Sequence, residues 1–409
     1  MNAATDLRQS RGLALAKSTR IKNVNGALWI VPSATHSGTY VVDANAQTCT
    51  CPDHEDRRVR CKHQWAVSFV RHEVVEADGS KVVRETLSVT YRQDWPRYNK
   101  AQVYEKEHVG VLLKSLCAGI EQPVKANLRG RPRLPLADVV HGALLKTFGG
   151  LSGRRSSSDL RDCHAKGLVS VAPHYNSIFS YLERPEIQPL LTSLVEETAA
   201  PLKRIEKDFA TDSTGFATST YYRWFDAKYG EEKSEKRWVK LHANVGVITN
   251  VIAAAKVTAG NDADAPELPA LIEATAKRFN VAEVSADKAY LSHKNLAAIE
   301  KVGAKPFIPF KINSQADGSA AWERMHAYFT LNKDVFLRCY HKRSNVETTF
   351  FMIKKKFGSA VRAKGETAQM NEVLCKVVCH NLSVLTHAFY ELGIEASFWE
   401  PSVSGETAQ

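Results

Sequence analysis

Residues 27–43, "ALWIVPSATHSGTYVVD", alternate apolar and polar positions around turn residues, which predicts two short strands about a Ser37-Gly38 turn. The stretch "HQWAVSFVRHEVV" (63–75) reads as a helix, and residues 78–100 are polar and irregular, with "QDWPRYNK" as a linker. Residues 101–120 carry helical spacing, and the basic, proline-containing segment "KANLRGRPRLPL" breaks it. From Ala137 to about Pro201 the pattern is mostly helical, with breaks at "GGLSGRRSSS" and "VAPHYN".

After Pro201 the texture changes. "KDFATDSTGF" alternates as a strand does, and "RWVKLHANVGVITNVIAAAKVTAG" predicts a two-strand hairpin. A helix follows with Asp264 as its N-cap, then a strand in "VAEVSADKAY", a helix in "SHKNLAAIEKVG", a strand in "AKPFIPFK", and a long helical region from about Trp322. Strands alternating with helices predict a mixed α/β sheet.

The 409 residues are 44% hydrophobic and 24% charged, as expected of a globular chain of two or three domains. The net charge of +11 points to a polyanionic partner, nucleic acid first. The start "MNAATDLRQSRG" has no apolar leader core, so a disulfide framework is not expected. The longest apolar run, "VGVITNVIAAAKV", is too short and interrupted to span a bilayer and reads as a buried strand, so no membrane partner is expected.

Three of the eight cysteines cluster in "CTCPDHEDRRVRCKH". Cys49-x-Cys51, nine residues, then Cys61-x-His63 make a complete tetrahedral ligand set for Zn²⁺. His54, inside the loop, reads as solvated. The stretch resembles the SWIM zinc finger, including its preceding strand pair and following helix, over about residues 25–75. That resemblance implies DNA or protein binding.

The segment "YHKRSNVETTFFMIKKKF" (340–357) sets one carboxylate among cations. On a continuous α-helix, Tyr340, Arg343, Glu347 and Lys354 share one stripe, while Cys339, Val346, Phe350, Ile353 and Phe357 form a packing stripe beside it. A plain surface pairing of Glu347 with Arg343 or Lys354 is one reading. A metal-dependent phosphoryl-transfer site is the other, and it needs further acids. Asp212 and Asp287 supply them, each placed where a strand is expected to end and a loop to begin. Taken singly, either could be a turn residue or helix cap.

Tyr340-x2-Arg343-x3-Glu347-x6-Lys354 resembles the Tyr-Arg-Glu-Lys signature of bacterial insertion-sequence DDE transposases. "TDSTGF" and "SADKAY" are similar to the surroundings of that family's first and second aspartates, and the resemblance covers about residues 130–390. It departs at Ala289, where the family usually has glycine, and at "TAGNDADAP", where it often has a histidine. The resemblance implies a ribonuclease-H-like mixed sheet with flanking helices. It implies Asp212, Asp287 and Glu347 as catalytic ligands of Mg²⁺ or Mn²⁺, with Arg343 and Lys354 on DNA phosphates and Tyr340 supporting them. It further implies cleavage at transposon ends, strand transfer of the 3′-hydroxyl to double-stranded target DNA, and a homo-oligomer acting on DNA in the bacterial cytoplasm, at the nucleoid. A non-catalytic DNA-binding regulator and a metal-dependent nuclease are the alternatives.

The expected plan is a tail (1–24), a zinc module (25–77), a linker and helix with "RGRP" (78–136), a helical DNA-binding region (137–200), the catalytic domain (201–395) and a disordered tail (396–409). In "RGRP", Arg129 and Arg131 resemble an AT-hook core and equally fit a basic linker. Lys355, Lys356, Arg362 and Lys364 are further candidate DNA contacts. Cys163-His164 and Cys375-x3-Cys379-His380 read as packing residues rather than a second metal site.

Overall fold

The computed structural model describes residues 3–19, 21–24, 27–34, 38–75, 81–85, 94–123, 132–218, 238–311, 313–316 and 318–399. Arg129, Arg131, most of "RGRP", Ser37 of the expected turn and residues 400–409 of the expected tail lie outside them. The chain divides into two units, Met1–Trp95 and Pro96–Gln409.

In the first unit, helix α1 (Ala3–Ser18) occupies most of the expected tail. It packs on α3 (Lys62–Val70), where Gly12 lets the helices close: a Cβ there would fall 2.6 Å from the Trp65 Cβ. A four-stranded antiparallel sheet runs β1 (Lys22–Asn23), β2 (Leu28–Pro32), β3 (Thr39–Asp43), β4 (Thr48–Cys49). The short α2 (Pro52–Arg57) follows the first cysteine pair. The helix expected over 63–75 stops at Val70, and the β-branched "RHEVV" becomes β5 (Arg71–Val75), paired with β6 (Lys81–Glu85) inside the segment expected to be irregular. β-Branched valines side by side favour the pleated strand over a helix.

The second unit opens with α4 (Trp95–Val103), α5 (Glu105–Ala118), α6 (Leu136–Gly149), α7 (Gly153–Ala165), α8 (Tyr175–Leu182) and α9 (Ile187–Ala199). The sheet is built from β7 (Asp208–Ala217), β8 (Trp238–Gly246), β9 (Ile252–Ala259), β10 (Glu283–Ala286) and β11 (Lys305–Phe307), in the order β11-β10-β7-β8-β9. β7, β8 and β9 are antiparallel, while β10 and β11 run parallel to β7. That order and mix of directions is ribonuclease-H-like. Helices α10 (Leu268–Ala276), α11 (His293–Lys301), α12 (Ala320–Leu331), α13 (Lys333–Tyr340), α14 (Ser344–Phe357) and α15 (Glu366–Leu392) flank it.

α15 meets the start of β9 with a side-chain amide instead of another strand. Asn381 accepts from the Ile252 amide and donates to its carbonyl, both at 2.9 Å, and His380 Nε2 lies 2.8 Å from the Asn250 carbonyl. Asp264 does not cap α10 as expected. It precedes a 3-10 turn without a side-chain cap bond, because its carboxylate pairs with Lys240 at 3.0 Å.

Lys376, 2% exposed in α15, donates to the carbonyls of Gly358 and Ala360 at 3.0 and 2.7 Å and pins the chain that follows α14. Burial lowers its ammonium from 10.5 to about 8. Between those values the unfolded chain holds a proton that the folded chain has released, so raising the pH there favours folding. In denaturant unfolding from pH 7 to 10.5, the wild type is expected to gain stability relative to Lys376→Met. Identical pH slopes would refute this role.

Candidate catalytic site and Cys3His cluster

Side chains alternate across β7, and its even positions face α14 and the turn before it. Asp208 bonds Lys342, Asp212 bonds Arg343, and Thr214 bonds Lys354. The odd side is tied down from behind: the Thr211 hydroxyl donates to Asn244 Oδ1 at 2.9 Å, and Asn244 donates to the Thr275 hydroxyl at 2.7 Å. All three are fully buried.

Asp212 therefore sits in mid-strand, not at the strand end expected of it, since β7 continues to Ala217. Apolar Phe216 and pairing with β8 carry the strand past "STG". Asp287 does follow the end of β10 and caps the 3-10 turn Lys288–Tyr290, accepting from the Lys288 amide at 2.6 Å. Ala286 pairs with Thr211 in parallel register, so one further residue sets Asp287 beside Asp212 on the same face.

The expected continuous helix over 340–357 is interrupted. α13 ends at Tyr340, a 3-10 turn spans His341–Arg343, and α14 starts at Ser344. The tighter turn lets adjacent cations reach different anchors. Lys342 clamps Asp208 and Glu283, register partners on β7 and β10, at 2.6 Å each. Arg343 donates to Asp212 Oδ2 at 2.7 Å and to Glu347 Oε1 at 2.8 Å. Beyond the turn the packing stripe holds, with Val346, Phe350, Ile353 and Phe357 buried.

Arg343 thus joins Asp212 and Glu347 from two elements, and Asp287 acts on Asp212 and on the guanidinium through its charge. Burial pushes the Asp212 carboxyl up, and Asp287 and Glu347 add to that shift, against the opposing Ser213 amide and Arg343. The Glu347 side chain is 61% exposed while those of Asp212 and Arg343 are 21% and 20%, so the acids line the floor and rim of an open site. Hard carboxylate oxygens of this kind suit Mg²⁺ or Mn²⁺.

The other expected DNA contacts are placed as follows. Tyr340 lies with the Arg343 guanidinium 6.0 Å from its ring centroid. Lys354 turns inward, donating to the Thr214 hydroxyl at 2.6 Å, and burial lowers its ammonium. Lys356 pairs with Glu105 and donates to Ser383 at 2.9 Å. Lys355, Arg362 and Lys364 are exposed. Cys375 and Cys379 are buried, and the Cys379 thiol lies 3.4 Å from the Leu144 carbonyl. Sequence reading missed Lys342 and Thr214. Alternation along "DFATDST" places Asp208, Asp212 and Thr214 on one face, which was the available signal for Thr214; Lys342 is set by tertiary anchors on β7 and β10.

In the first unit, β4 carries Cys49, α2 begins after Cys51, and α3 begins after Cys61, so three element ends bring the ligands together. One ligand atom from each of Cys49, Cys51, Cys61 and His63 lies within 4.8 Å of the others, and all four residues are buried. His63 Nδ1 is 3.9 Å from the Cys49 sulfur and 3.8 Å from that of Cys61. The Cys61 thiol is lowered to about 4, chiefly by its hydrogen bond with Cys49, which is itself raised. Three soft sulfurs and an imidazole around one point fit zinc. His54 stays outside, its Nδ1 on the Val59 carbonyl at 2.8 Å. Among the described residues this is the one such cluster of histidine, cysteine and acidic groups.

Among the described residues no helix is long and apolar enough to cross a membrane. No curated protein sequence matches the chain. A solved structure similar to it is the cryo-EM structure of a piggyBac transposase synaptic complex with hairpin DNA, at 9% identity and a TM-score of 0.31, over 80% of this chain and 79% of that one. Residues 204–382 match the family described as transposase DDE domain. This matched segment holds Asp212, Asp287 and Glu347 and all five strands of the mixed sheet.

Proposed function

We propose that the protein is a DNA transposase that cuts the ends of its element and joins the freed 3′-hydroxyls to target DNA. The observation that carries this is Asp212 on β7 next to the end of the parallel β10, where Asp287 follows, with Glu347 tied to Asp212 through Arg343. In the first step water oxygen bonds to phosphorus and the P–O3′ bond breaks, leaving a 3′-hydroxyl. In the second, that oxygen bonds to a target phosphorus and the target's P–O3′ bond breaks, so the number of P–O bonds is conserved.

Asp212, Asp287 and Glu347 would hold Mg²⁺ or Mn²⁺. When bound, such ions activate the attacking oxygen and stabilise the leaving one. The chain's own groups orient the acids. The Thr211–Asn244–Thr275 bonds hold β7 from behind, and Lys342 locks β7 to β10. Arg343 keeps Glu347 turned toward the sheet and offers a planar fork suited to phosphate. Lys354, half-buried above the Phe216 ring, places a second cation at the same wall. The Cys3His cluster would bind zinc and make the first unit a DNA- or protein-binding module.

The test is incubation of the full chain with its gene's flanking DNA and a plasmid target, with Mg²⁺, Mn²⁺ or EDTA. Cleavage at fixed end positions and joined products, both requiring the divalent ion, are expected. Stable binding without cleavage would leave a DNA-binding regulator. Cleavage without joining would leave a nuclease.

A further inference from the structure

Outside the acid-bearing sheet, the outer face of α7 has no role in the chemistry above. We propose that α7 is the helix that reads base edges in the major groove of double-stranded DNA. The proposal rests on the transposase reading only in taking DNA as the partner.

Helix α6, the connection Gly150-Leu151-Ser152 and α7 form a helix, a three-residue turn and a second helix. Gly150 makes the turn in the left-handed region at φ +64, and the Ser152 hydroxyl accepts from the Arg155 amide. Short glycine-containing turns of this kind join the two helices of helix-turn-helix readers, whose second helix enters the groove. The inner side of α7 is committed to packing through Ser156, Leu160 and Cys163. α6 admits α8 closely, since a Cβ on Gly142 would fall 2.8 Å from Ile178.

At about 100° per residue, Arg154, Ser158, Arg161 and Ala165 make one outward stripe with Arg155 beside it. All five are exposed. Arg155 and Arg161 have no ion-pair partner among the described residues, and Arg154 Nε lies 3.4 Å from the Tyr175 hydroxyl, which steadies it. Asp159 is turned to Lys106 at 3.8 Å, while Asp162 shares the outer face and could accept from a cytosine amino group. Arginine forks match guanine O6 and N7, and the small Ser158 and Ala165 between them let the helix come close to the base edges. A patch that only follows phosphates does not need planar forks spaced by small residues.

The test uses the full chain carrying Glu347→Gln, which binds without consuming DNA, and measures affinity by anisotropy. The probes are the gene's flanking duplex and a scrambled duplex of equal composition. Arg154→Ala and Arg161→Ala are each expected to weaken the flanking duplex about tenfold or more and the scrambled one by less than about threefold. Arg161→Lys, which keeps the charge and loses the fork, is expected to lose the same preference. Equal losses on both duplexes, or rescue by lysine, would mean phosphate contact and overturn the proposal. No change on either duplex would make α7 a solvated face and overturn it as well. A wild type that never cuts, with the arginine variants still losing sequence preference, would sink the transposase reading and leave this one standing.

Discussion

Asp212→Asn and Glu347→Gln are each expected to lower the rate of strand cleavage by roughly a thousandfold or more while DNA affinity stays within a few-fold of wild type. Both changes keep the shape of the side chain and remove its charge. The acids come from a strand and a helix far apart in sequence, and the fold spends a buried polar network and two ion pairs in aiming them at one place. Removing either charge leaves too few anionic ligands for a divalent ion that polarises a phosphodiester. Each change also strips Arg343 of one partner, so the guanidinium would still be held from the other side and the fold should survive. Matched melting curves check that point. A cleavage rate within tenfold of wild type in either variant would mean that the chemistry lies elsewhere.

Cys61→Ser, or removal of zinc by a chelator, is expected to unfold the first unit and leave the second folded. Among the described residues the buried apolar cluster of the first unit holds ten, and three of those are Cys49, Cys51 and Cys61 themselves. Such a core is too small to stabilise the unit, so the ion has to supply the difference, of the order of 10 kcal/mol in comparable small zinc modules. One metal equivalent per chain by elemental analysis, and loss of the protease resistance of residues 1–95 alone in Cys61→Ser, would support this. A chain that holds no zinc and keeps that resistance would remove the cluster from the list of metal sites.

The strands of the mixed sheet were legible because each is a buried, β-branched or alternating run bounded by turn residues, whereas the pairing of "DFATD" with "AEVSAD" came only with the structure. The Cys3His set was legible because its ligands are local in sequence. Tertiary preferences were not. Nothing in "RHEVV" separates the end of a helix from the start of a strand until β6 arrives as its partner. The break at His341–Arg343 follows from anchors on β7 and β10 that a helical wheel does not contain. Lys354 read as an outward cation by composition and packing turned it inward, while Lys356 stays exposed but is held by Glu105 and Ser383.

The Asn381 amide that satisfies the first residue of β9 also sets a timetable for synthesis. Ile252 leaves the ribosome 129 residues before the side chain that satisfies its amide and carbonyl. At about 5–20 residues per second, that end stays open for roughly ten seconds in every nascent chain. Through that interval the Ile252 end of β9 offers an unpaired amide and carbonyl to another strand, and neighbouring chains on one messenger are the nearest source of one. Rapid translation of residues 260–392 would shorten the exposure. Slow codons placed in that stretch should therefore lower the yield of folded protein more than the same codons placed before residue 208.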